Sequence, residues 1–256
     1  MKLEVLVSTM YQKDYELLNS MNIQSDAIVV NQCEGDTVKR FLYNRYNITW
    51  INTSQRGLSK SRNMAMSYAT ADICLLADED EILEDDYPKI IEKAFEGIPS
   101  ADIISFNFNR LNFSEPTKKN KCRKAPRYKY YSSVSLAFKL IKIRKYGLHF
   151  NELIGAGSEY SAGEETVFEE ECRRKKLKIY ENSNCICSVD SSNSTWFKGF
   201  DERYFFNLGI ILAIRHGALA PIFTIYYVYR FRKNNNIDKK RMIKSILLGI
   251  SRFRDL

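Results

Sequence analysis

The sequence is poor in the residues and motifs that would place it in several large classes of enzymes. It contains two histidines and six cysteines that are scattered along the chain. Cys185 and Cys187 stand two positions apart, which is not the spacing of a zinc-ligand pair. Neither a glycine-rich dinucleotide-binding pattern nor a Walker pattern occurs. The sequence therefore gives no support to a zinc site, a dinucleotide-binding fold or a P-loop.

Long apolar runs are also missing. The chain begins Met1-Lys2-Leu3 and continues directly into an apolar strand, without the apolar core and small-residue cleavage site of a signal peptide. This start predicts a cytoplasmic protein. Residues 205–214 and 218–229 are apolar, but a polar break separates them. Because neither stretch reaches the roughly 20 residues that a membrane-spanning helix needs, the sequence predicts no such helix.

Positive charge is concentrated at the C-terminal end. Residues 215–256 contain ten Lys or Arg and two Asp or Glu, which accounts for the whole net charge of +8 and leaves residues 1–214 neutral. Apolar residues with helical spacing lie among these charges, at Ile243, Ile246, Leu247 and Ile250. A basic amphipathic helix is typical of contact with an anionic membrane surface, here through residues 205–256. The alternative is an apolar face that packs on the body of the protein.

Over about the first 110 residues, apolar strands alternate with helical segments. The predicted strands are 2–9, 26–31, 48–52, 72–77 and 102–108, and the predicted helices are 14–21, 37–46, 58–69 and 85–95. This alternation predicts an α/β fold in which helices flank both faces of a mostly parallel sheet.

Four consecutive carboxylates, Asp78, Glu79, Asp80 and Glu81, follow directly on the strand at 72–77. Ligands of open α/β sheets bind outside the carboxyl ends of the strands. Mg²⁺ binds oxygen ligands, commonly one or two carboxylates together with substrate phosphates. The run therefore predicts a site for a metal ion and a diphosphate. The alternative is an acidic loop that stabilises the N-terminus of the next helix.

The order of several segments resembles that of a known family. The segments KLEVLVST, DAIVVNQ, RGLSKSRNMA, ADICLLADEDE and GAGSEYSAGEETVF follow one another over about residues 1–200. They resemble the family 2 glycosyltransferases of GT-A fold, particularly bacterial enzymes of capsule and surface-polysaccharide assembly. The resemblance implies a Rossmann-like GT-A catalytic domain at 1–200, with a nucleotide-sugar half at 1–110 and an acceptor half at 111–200. Residues 201–256 would form a helical, membrane-associating appendage.

The resemblance assigns roles to the acidic run. The family's Asp-x-Asp motif, which holds Mn²⁺ or Mg²⁺ against a nucleotide-sugar diphosphate, falls on Asp78 and Asp80. Asp80 is implied to be the direct metal ligand, and Asp78 to face the ribose or a metal-bound water. Asp190 stands near the position where some GT-A enzymes have a histidine ligand, and it is a further metal candidate. Glu79 and Glu81 are expected to be bystanders.

Residues that bind the nucleotide are implied in the same way. The family holds the nucleobase at the ends of its first two strands, which here carry Ser8-Thr9 and Asn31-Gln32. Hydroxyl and carboxamide groups can hydrogen-bond with the edge of a uracil. Arg62 precedes the acidic strand, and three roles are open to it: orienting the acidic run, contacting a phosphate, or standing on the surface.

The second family signature is a pair of acids that supplies the catalytic base, and it falls on Glu164 and Glu165. In an inverting transfer a carboxylate takes the proton from the acceptor hydroxyl as that oxygen attacks the anomeric carbon. Glu165 matches the base position, and Glu164 is the alternate. A purely structural reading is that two acids at a helix start interact favourably with the helix dipole.

These expectations describe a metal-dependent, inverting hexosyltransferase of polysaccharide biosynthesis. It would move a sugar from a UDP-sugar to an oligosaccharide acceptor linked to polyprenyl diphosphate, at the inner face of the cell membrane. Two alternatives stay open: a non-catalytic protein that binds membrane or nucleic acid, and a nucleotidyltransferase on a similar sheet. A nucleic-acid partner is not expected, because the body is neutral and shows no aromatic-basic recognition motif.

Overall fold

The computed structural model describes residues 1–111, 122–190, 199–231 and 237–254. In these ranges a ten-stranded sheet is flanked by helices and is followed by three further helices. The strands are β1 (Leu3–Met10), β2 (Asp26–Gln32), β3 (Thr37–Tyr43), β4 (Tyr46–Thr53), β5 (Ile73–Asp78), β6 (Glu81–Leu83), β7 (Ile103–Arg110), β8 (Arg123–Lys124), β9 (Leu136–Lys139) and β10 (Ile179–Val189). The helices are α1 (Leu17–Ser20), α2 (Leu58–Tyr68), α3 (Tyr87–Gly97), α4 (Leu140–Lys145), α5 (Glu164–Arg174), α6 (Glu202–His216), α7 (Ala220–Arg230) and α8 (Lys239–Arg254).

The sheet is mixed. Its order is β3-β4-β2-β1-β5-β9-β7-β10-β6, and β8 pairs with β10. Strands β4, β2, β1 and β5 are parallel, whereas β9 runs antiparallel between β5 and β7. The predicted α/β sheet flanked by helices is confirmed, but the description "mostly parallel" holds only for the half of the sheet that contains β1.

One predicted helix, at 37–46, is wrong. These residues form β3 and the hairpin turn into β4. The sequence Thr-Val-Lys-Arg-Phe-Leu-Tyr is rich in β-branched and aromatic residues, which favour strands. Asn44 and Arg45 both have positive φ, 46° and 76°, as the two central residues of a type I′ hairpin turn do.

Helices cover both faces of the sheet because the central strands are apolar on both sides. On β1, Val5 and Val7 face the cluster that contains Phe95 of α3, while Leu6 faces the cluster that contains Phe168 of α5. The first face is covered by α1 and α3, and the second by α2, α4 and α5. The carboxyl ends of the parallel strands are thereby left at one edge of the sheet.

The three C-terminal helices pack on one another and on the body. Helices α6 and α8 cross at Gly209 and Gly249, where a Cβ on Gly209 would lie 2.1 Å from the carbonyl oxygen of Ile246. Ile210 and Ile214 of α6 pack in one cluster with Ile154, Tyr160 and Val167, which belong to α5 and the loop before it. The helices therefore form one packed unit with the loop that leads into α5.

The packing decides between the two interpretations of the apolar stripe on α8. Ile246 and Ile250 are buried against α6 and α7, and Met242 is buried beside them. Ile243 and Leu247 are partly exposed. The prediction that this stripe faces a membrane is therefore wrong for Ile246 and Ile250, and the packing alternative is correct for these two residues.

The expectation that the C-terminal stretches are too short to cross a membrane also needs correction. Residues Glu202–Arg230 form a helical run of 29 residues that is long and apolar enough, by length and composition alone, to span a bilayer. The sequence break at Arg215-His216-Gly217 does not end the run; a 3-10 turn at Gly217–Leu219 joins α6 to α7. However, the backbone between α6 and α7 departs from helical geometry at Gly217, where φ is +54°. In addition, most of α6 is buried in the protein.

Candidate active site

The predicted nucleotide residues converge at the carboxyl ends of β1, β2 and β5. In the strand register Ser8 pairs with both Val30 and Asp78, and Thr9 pairs with Asn31. The next residue of β1, Met10, pairs with Gln32. The strand register therefore brings Ser8, Thr9, Asn31, Gln32 and Asp78 together at the edge of the sheet where the crevice is expected.

Arg62 of α2 is the centre of the site, although its side chain is only 1% exposed. Its Nη2 donates to both carboxylate oxygens of Asp78, at 3.2 and 3.1 Å, and to Ser133 Oγ at 2.7 Å. Its Nη1 donates to Glu164 Oε1 at 3.4 Å and lies 4.0 Å from Glu165 Oε1. Of the three roles open to Arg62, the structure supports the orientation of the acidic run and excludes an exposed surface position.

The local fold explains how a charged residue reaches this position. The buried side of α2 carries small residues beside Arg62, and Ser61 Oγ hydrogen-bonds Ser8 Oγ at 2.8 Å. Small side chains let the helix lie close to β1 and β5. The guanidinium of Arg62 also lies 5.4 Å from the ring centre of Phe150, a distance at which cation–π attraction operates.

The two acids at the start of α5 have different environments. Glu164 is buried, with its side chain 7% exposed, whereas the side chain of Glu165 is 22% exposed. Ser133 Oγ donates to Glu165 Oε1 at 3.0 Å, so Ser133 connects Glu165 to Arg62. Burial, together with the charge of Glu165, raises the pKa of Glu164 to about 7. Both predicted base candidates therefore lie near Arg62, which also binds Asp78 at the end of β5.

The charge of Arg62 is stabilised by its surroundings. Burial alone would lower the pKa of Arg62, but the nearby carboxylates raise it above its ordinary value. These carboxylates are Asp78, Glu165 and Glu164. Because the guanidinium stays charged and contacts all three acids, it holds them in fixed relative positions.

The backbones of Asp80 and Asp190, the two candidate metal ligands, are neighbours. The backbone N–H of Asp190 donates to the carbonyl oxygen of Asp80 at 3.2 Å. Burial raises the pKa of Asp80 to about 6, and the neighbouring carboxylates act in the same direction. These neighbours are Asp78, Glu79 and Asp190. A cation would offset this accumulation of negative charge.

The donor set fits a hard divalent cation whose remaining ligands come from elsewhere. Among the residues that the structure describes, no three His, Cys, Asp or Glu side chains converge as a complete metal-binding group. Mg²⁺ does not require one, because it commonly takes one or two carboxylates and completes its coordination with phosphate oxygens and water. Asp80 is available for this role, whereas both oxygens of Asp78 already accept hydrogen bonds from Arg62.

The description of Glu79 and Glu81 as bystanders is wrong. Glu79 Oε2 accepts hydrogen bonds from the Thr9 hydroxyl and from Gln12 Nε2, the latter at 3.1 Å, so it connects the end of β1 to the acidic turn. Glu81 is buried, and its Oε1 accepts from the backbone N–H of Asp78 at 2.9 Å. Both residues hold the turn that presents Asp80.

The buried amides at the ends of β1 and β2 are already hydrogen-bonded within the protein. Asn31 Nδ2 donates to Asn52 Oδ1 and to the carbonyl oxygen of Gln12, each at 3.0 Å. Gln32 Oε1 accepts from the backbone N–H of Gly57 at 2.7 Å. These contacts indicate that Asn31 and Gln32 have a structural role at the base of the crevice. At the same edge, Tyr11 is 62% exposed.

Comparison with known proteins shows the family of the chain. The model of the family described as "Glycosyl transferase family 2" matches residues 16–151, more than half of the chain, including Arg62 and the acidic run. The chain belongs to glycosyl transferase family 2. The match ends before Glu164, so it covers the donor side of the site and not the pair of acids on α5.

Two solved structures of another protein have the same fold as this chain. The S. aureus TarS fragment 1–349 in complex with UDP-GlcNAc has a TM-score of 0.71 at 15% sequence identity, covering 98% of this chain and 82% of that chain. Another structure, of S. aureus TarS, has a TM-score of 0.61 at 16% identity, covering 99% of this chain and 43% of that chain. No curated protein matches the chain.

Sequence reasoning missed several parts of this family 2 site. Ser133 and Phe150 contact Arg62 from positions more than seventy residues downstream. The loop before α5 also contacts the start of α2: the backbone N–H of Leu58 donates to the carbonyl oxygen of Ala156 at 2.9 Å. A Cβ on Gly57 would lie 3.1 Å from Ser158 Oγ. The segment GAGSEYSAG carried a signal for this loop, because repeated glycines mark close backbone approach.

Proposed function

We propose that the chain catalyses an inverting transfer of a sugar from a UDP-sugar to the hydroxyl group of an oligosaccharide acceptor. The single observation that carries this proposal is the buried Arg62, which joins Asp78 at the end of β5 to Glu164 and Glu165 at the start of α5. One end of this network is suited to a nucleoside diphosphate, and the other end is suited to taking a proton.

Glu165 is the proposed catalytic base. A general base must reach the proton that it removes, and Glu165 is the more exposed member of the pair. The hydrogen bond from Ser133 orients one of its oxygens. Glu164 is buried, and its pKa is raised to about 7, so a fraction of it holds a proton near neutral pH. This arrangement limits the accumulation of negative charge beside Glu165.

Asp80 is the proposed ligand of Mn²⁺ or Mg²⁺, with Asp190 as its neighbour. When bound, the cation would neutralise charge that develops on the departing nucleoside diphosphate. The residues of this chain hold the acidic turn in place: Glu81 binds the Asp78 backbone, and Arg62 binds the Asp78 side chain.

The proposed donor is a UDP-sugar because the crevice ends where a nucleobase can stack and because a TarS structure of the same fold contains UDP-GlcNAc. Tyr11 offers an exposed ring, and the guanidinium of Arg56 lies 5.5 Å from the centre of that ring. Asn31 and Gln32 support the crevice from below. We assign the base-stacking surface to Tyr11 rather than to the buried amides.

The proposed acceptor is linked to a lipid, such as a polyprenyl diphosphate, and the enzyme would act in polysaccharide biosynthesis at the inner face of the cell membrane. The net charge of +8 on residues 215–256 supports attraction to such an anionic, lipidic acceptor. The packing of α6 against the loop before α5 supports a C-terminal segment that lies on the acceptor side.

The decisive experiment is Glu165→Gln assayed with a panel of UDP-sugars. We expect turnover to fall by about 10²–10⁴-fold, the range that one general base contributes, while UDP affinity changes little. Glu171→Gln is the matched control, because Glu171 lies on the same helix, α5, and its side chain is 39% exposed to solvent. Full activity of Glu165→Gln would assign the base elsewhere.

A second arm concerns the metal ion. Asp80→Asn should abolish the effect of Mn²⁺ on the thermal stability of the UDP complex, because it removes the charged oxygen donor of the turn. Glu34→Gln is a suitable control, since Glu34 is an exposed acid outside the acidic turn. Equal stabilisation of Asp80→Asn and the parent by Mn²⁺ and UDP would place the cation at other residues.

A further inference from the structure

Helix α7 is apolar on all sides. Its 11 residues, APIFTIYYVYR, include one charged residue, Arg230, at the C-terminal end. The inner face packs on the C-terminal bundle through Phe223 and Tyr227, and the ring of Phe223 stacks on His216 at 3.6 Å. A helix that is apolar all round is normally surrounded by protein or lipid. Among the residues that the structure describes, one face packs on protein, and the opposite face is largely exposed.

The uncovered face is a continuous stripe. Ile222, Ile225, Tyr226 and Tyr229 follow the i, i+3, i+4, i+7 spacing of one helix face, and each is between 53% and 73% exposed. We call these four residues the α7 stripe. Single exposed apolar residues are normal, but a contiguous exposed patch marks a contact surface. The apolar residues Ile243, Ile246, Leu247 and Ile250 of α8 have the same spacing, but two of them, Ile246 and Ile250, are buried.

The charge around the α7 stripe favours an anionic lipid surface over an apolar protein partner. Arg230 lies at the end of α7, and α8 begins with the exposed residues Lys239, Lys240 and Arg241. Arg241 has one acidic neighbour, Glu202, at 3.7 Å. Basic residues beside an apolar face are attracted to anionic headgroups. Tyrosine is enriched at the membrane–water interface, where its ring is buried and its hydroxyl is hydrated.

The dimensions favour a helix that lies in the interface rather than one that crosses the bilayer. At about 1.5 Å per residue, α7 is about 16 Å long, roughly half of the ~30 Å hydrocarbon core. Helix α6 cannot supply the other half, because it is held in the protein by its crossing with α8 at Gly209. The positive φ of Gly217 marks a change of direction between α6 and α7.

We propose that the α7 stripe contacts an anionic lipid bilayer, with α7 lying in the plane of the interface. This inference rests on the proposed function and deepens it, because it names the surface that brings the enzyme to a lipid-linked acceptor. Asn207 Nδ2 of α6 donates to Ser161 Oγ at 3.0 Å, and Ser161 lies three residues before Glu164. Helix α6, which leads into α7, is thus attached to the loop before α5, the helix that carries Glu164 and Glu165.

The test is flotation of the full chain with two kinds of vesicle, one of phosphatidylcholine alone and one of equal parts phosphatidylcholine and phosphatidylglycerol. We expect binding to the anionic vesicles, weaker binding at high salt, and little binding to phosphatidylcholine alone. The double variant Ile222→Ser/Ile225→Ser should bind the anionic vesicles about tenfold more weakly. Ile141→Ser is the matched control: Ile141 lies on α4 and is 72% exposed, against 73% for Ile225. It should bind like the parent.

Three results would overturn the inference: no binding of the parent to anionic vesicles, equal binding by the double variant, or equal losses in the double variant and in Ile141→Ser. A parent chain that is dimeric by light scattering and becomes monomeric in the double variant would also overturn it, because the stripe would then be a contact between two copies. Flotation requires neither donor nor acceptor. Failure of flotation with UDP-sugar turnover intact would therefore reject the membrane surface and leave the proposed transfer standing.

Discussion

The sheet crevice and helix α7 depart from the usual distribution of residues in opposite directions. At the crevice, the ionisable residues Arg62, Glu81 and Glu164 are buried; on α7, Ile222 and Ile225 are exposed. Buried charge and exposed apolar surface both carry a free-energy cost that folding alone does not explain. The difference between the two regions agrees with the two proposals, ionic chemistry at the crevice and contact with lipid on α7.

The largest effect that tests this comparison is expected from Arg62→Met. Removing one partner of a buried ionic network leaves the other charges uncompensated, which costs about 3–5 kcal/mol. Asp78, Glu164 and Glu165 would then repel one another without a cation between them. We expect a loss of this size in the free energy of unfolding, measured by denaturant titration, together with loss of transfer activity.

The control for Arg62 is Arg40→Met on the exposed edge strand β3, which should change the free energy of unfolding by less than about 0.5 kcal/mol. Adding Glu164→Gln to Arg62→Met should restore part of the lost stability, because it removes one of the unpaired charges. A loss below about 1 kcal/mol in Arg62→Met would show that the network is hydrated and not a buried ionic unit.

A smaller effect is expected from Gly209→Ala, which tests whether the C-terminal helices form a protein core. The new Cβ would lie 2.1 Å from the carbonyl oxygen of Ile246, and backbone cannot move aside as a flexible side chain can. Overpacking of this kind costs about 1–3 kcal/mol, and thermal unfolding would measure it. Gly97→Ala is the control, because its Cβ would meet no atom within 4 Å. An unchanged melting temperature for Gly209→Ala would mean that α6 and α8 are not in close contact in solution.

Much of the fold and of the crevice could be predicted from the sequence because local signals mark them. Apolar strands with carboxylates or hydroxyls at their ends predict a crevice, and the order of the segments predicts the family. The sheet half beyond β5 could not be predicted in this way. Strand β9 pairs antiparallel with both β5 and β7, and nothing in its own residues selects those partners.

Burial was the other quantity that the sequence could not provide. The stripes on α7 and α8 have the same spacing, so periodicity identifies both as apolar faces but does not say which one is covered. The packing around the Gly209–Gly249 crossing buries Ile246 and Ile250 of α8, whereas all four residues of the α7 stripe are exposed. Arg62 shows the same limit, because a single arginine on a helix gives no sign that Ser133 and Phe150 will enclose it.

The smallest expected effect is a change of stability with pH. It tests whether Glu169, a buried acid outside the crevice, stays charged in the folded protein. Glu169 of α5 is fully buried, and its Oε1 accepts from the backbone N–H of Tyr131 at 2.7 Å. Burial raises the pKa of Glu169 to about 8, and the hydrogen bond from Tyr131 and the charge of Arg173 offset this only in part. In the unfolded chain the carboxyl titrates near its ordinary value of about 4.3.

Between these two pKa values the folded state binds more protons than the unfolded state. The contribution of Glu169 to stability is therefore complete below about pH 4 and is lost as the pH rises through about 8. Glu169→Gln cannot titrate, so its advantage over the parent chain should grow on going from pH 5.5 to pH 6.5, by on the order of 1–2 kcal/mol. Denaturant titrations of both proteins at the two pH values measure the difference. A parallel shift of the two proteins would show that Glu169 stays ionised with Arg173, and that charge can be buried in this fold outside the crevice without a change of protonation.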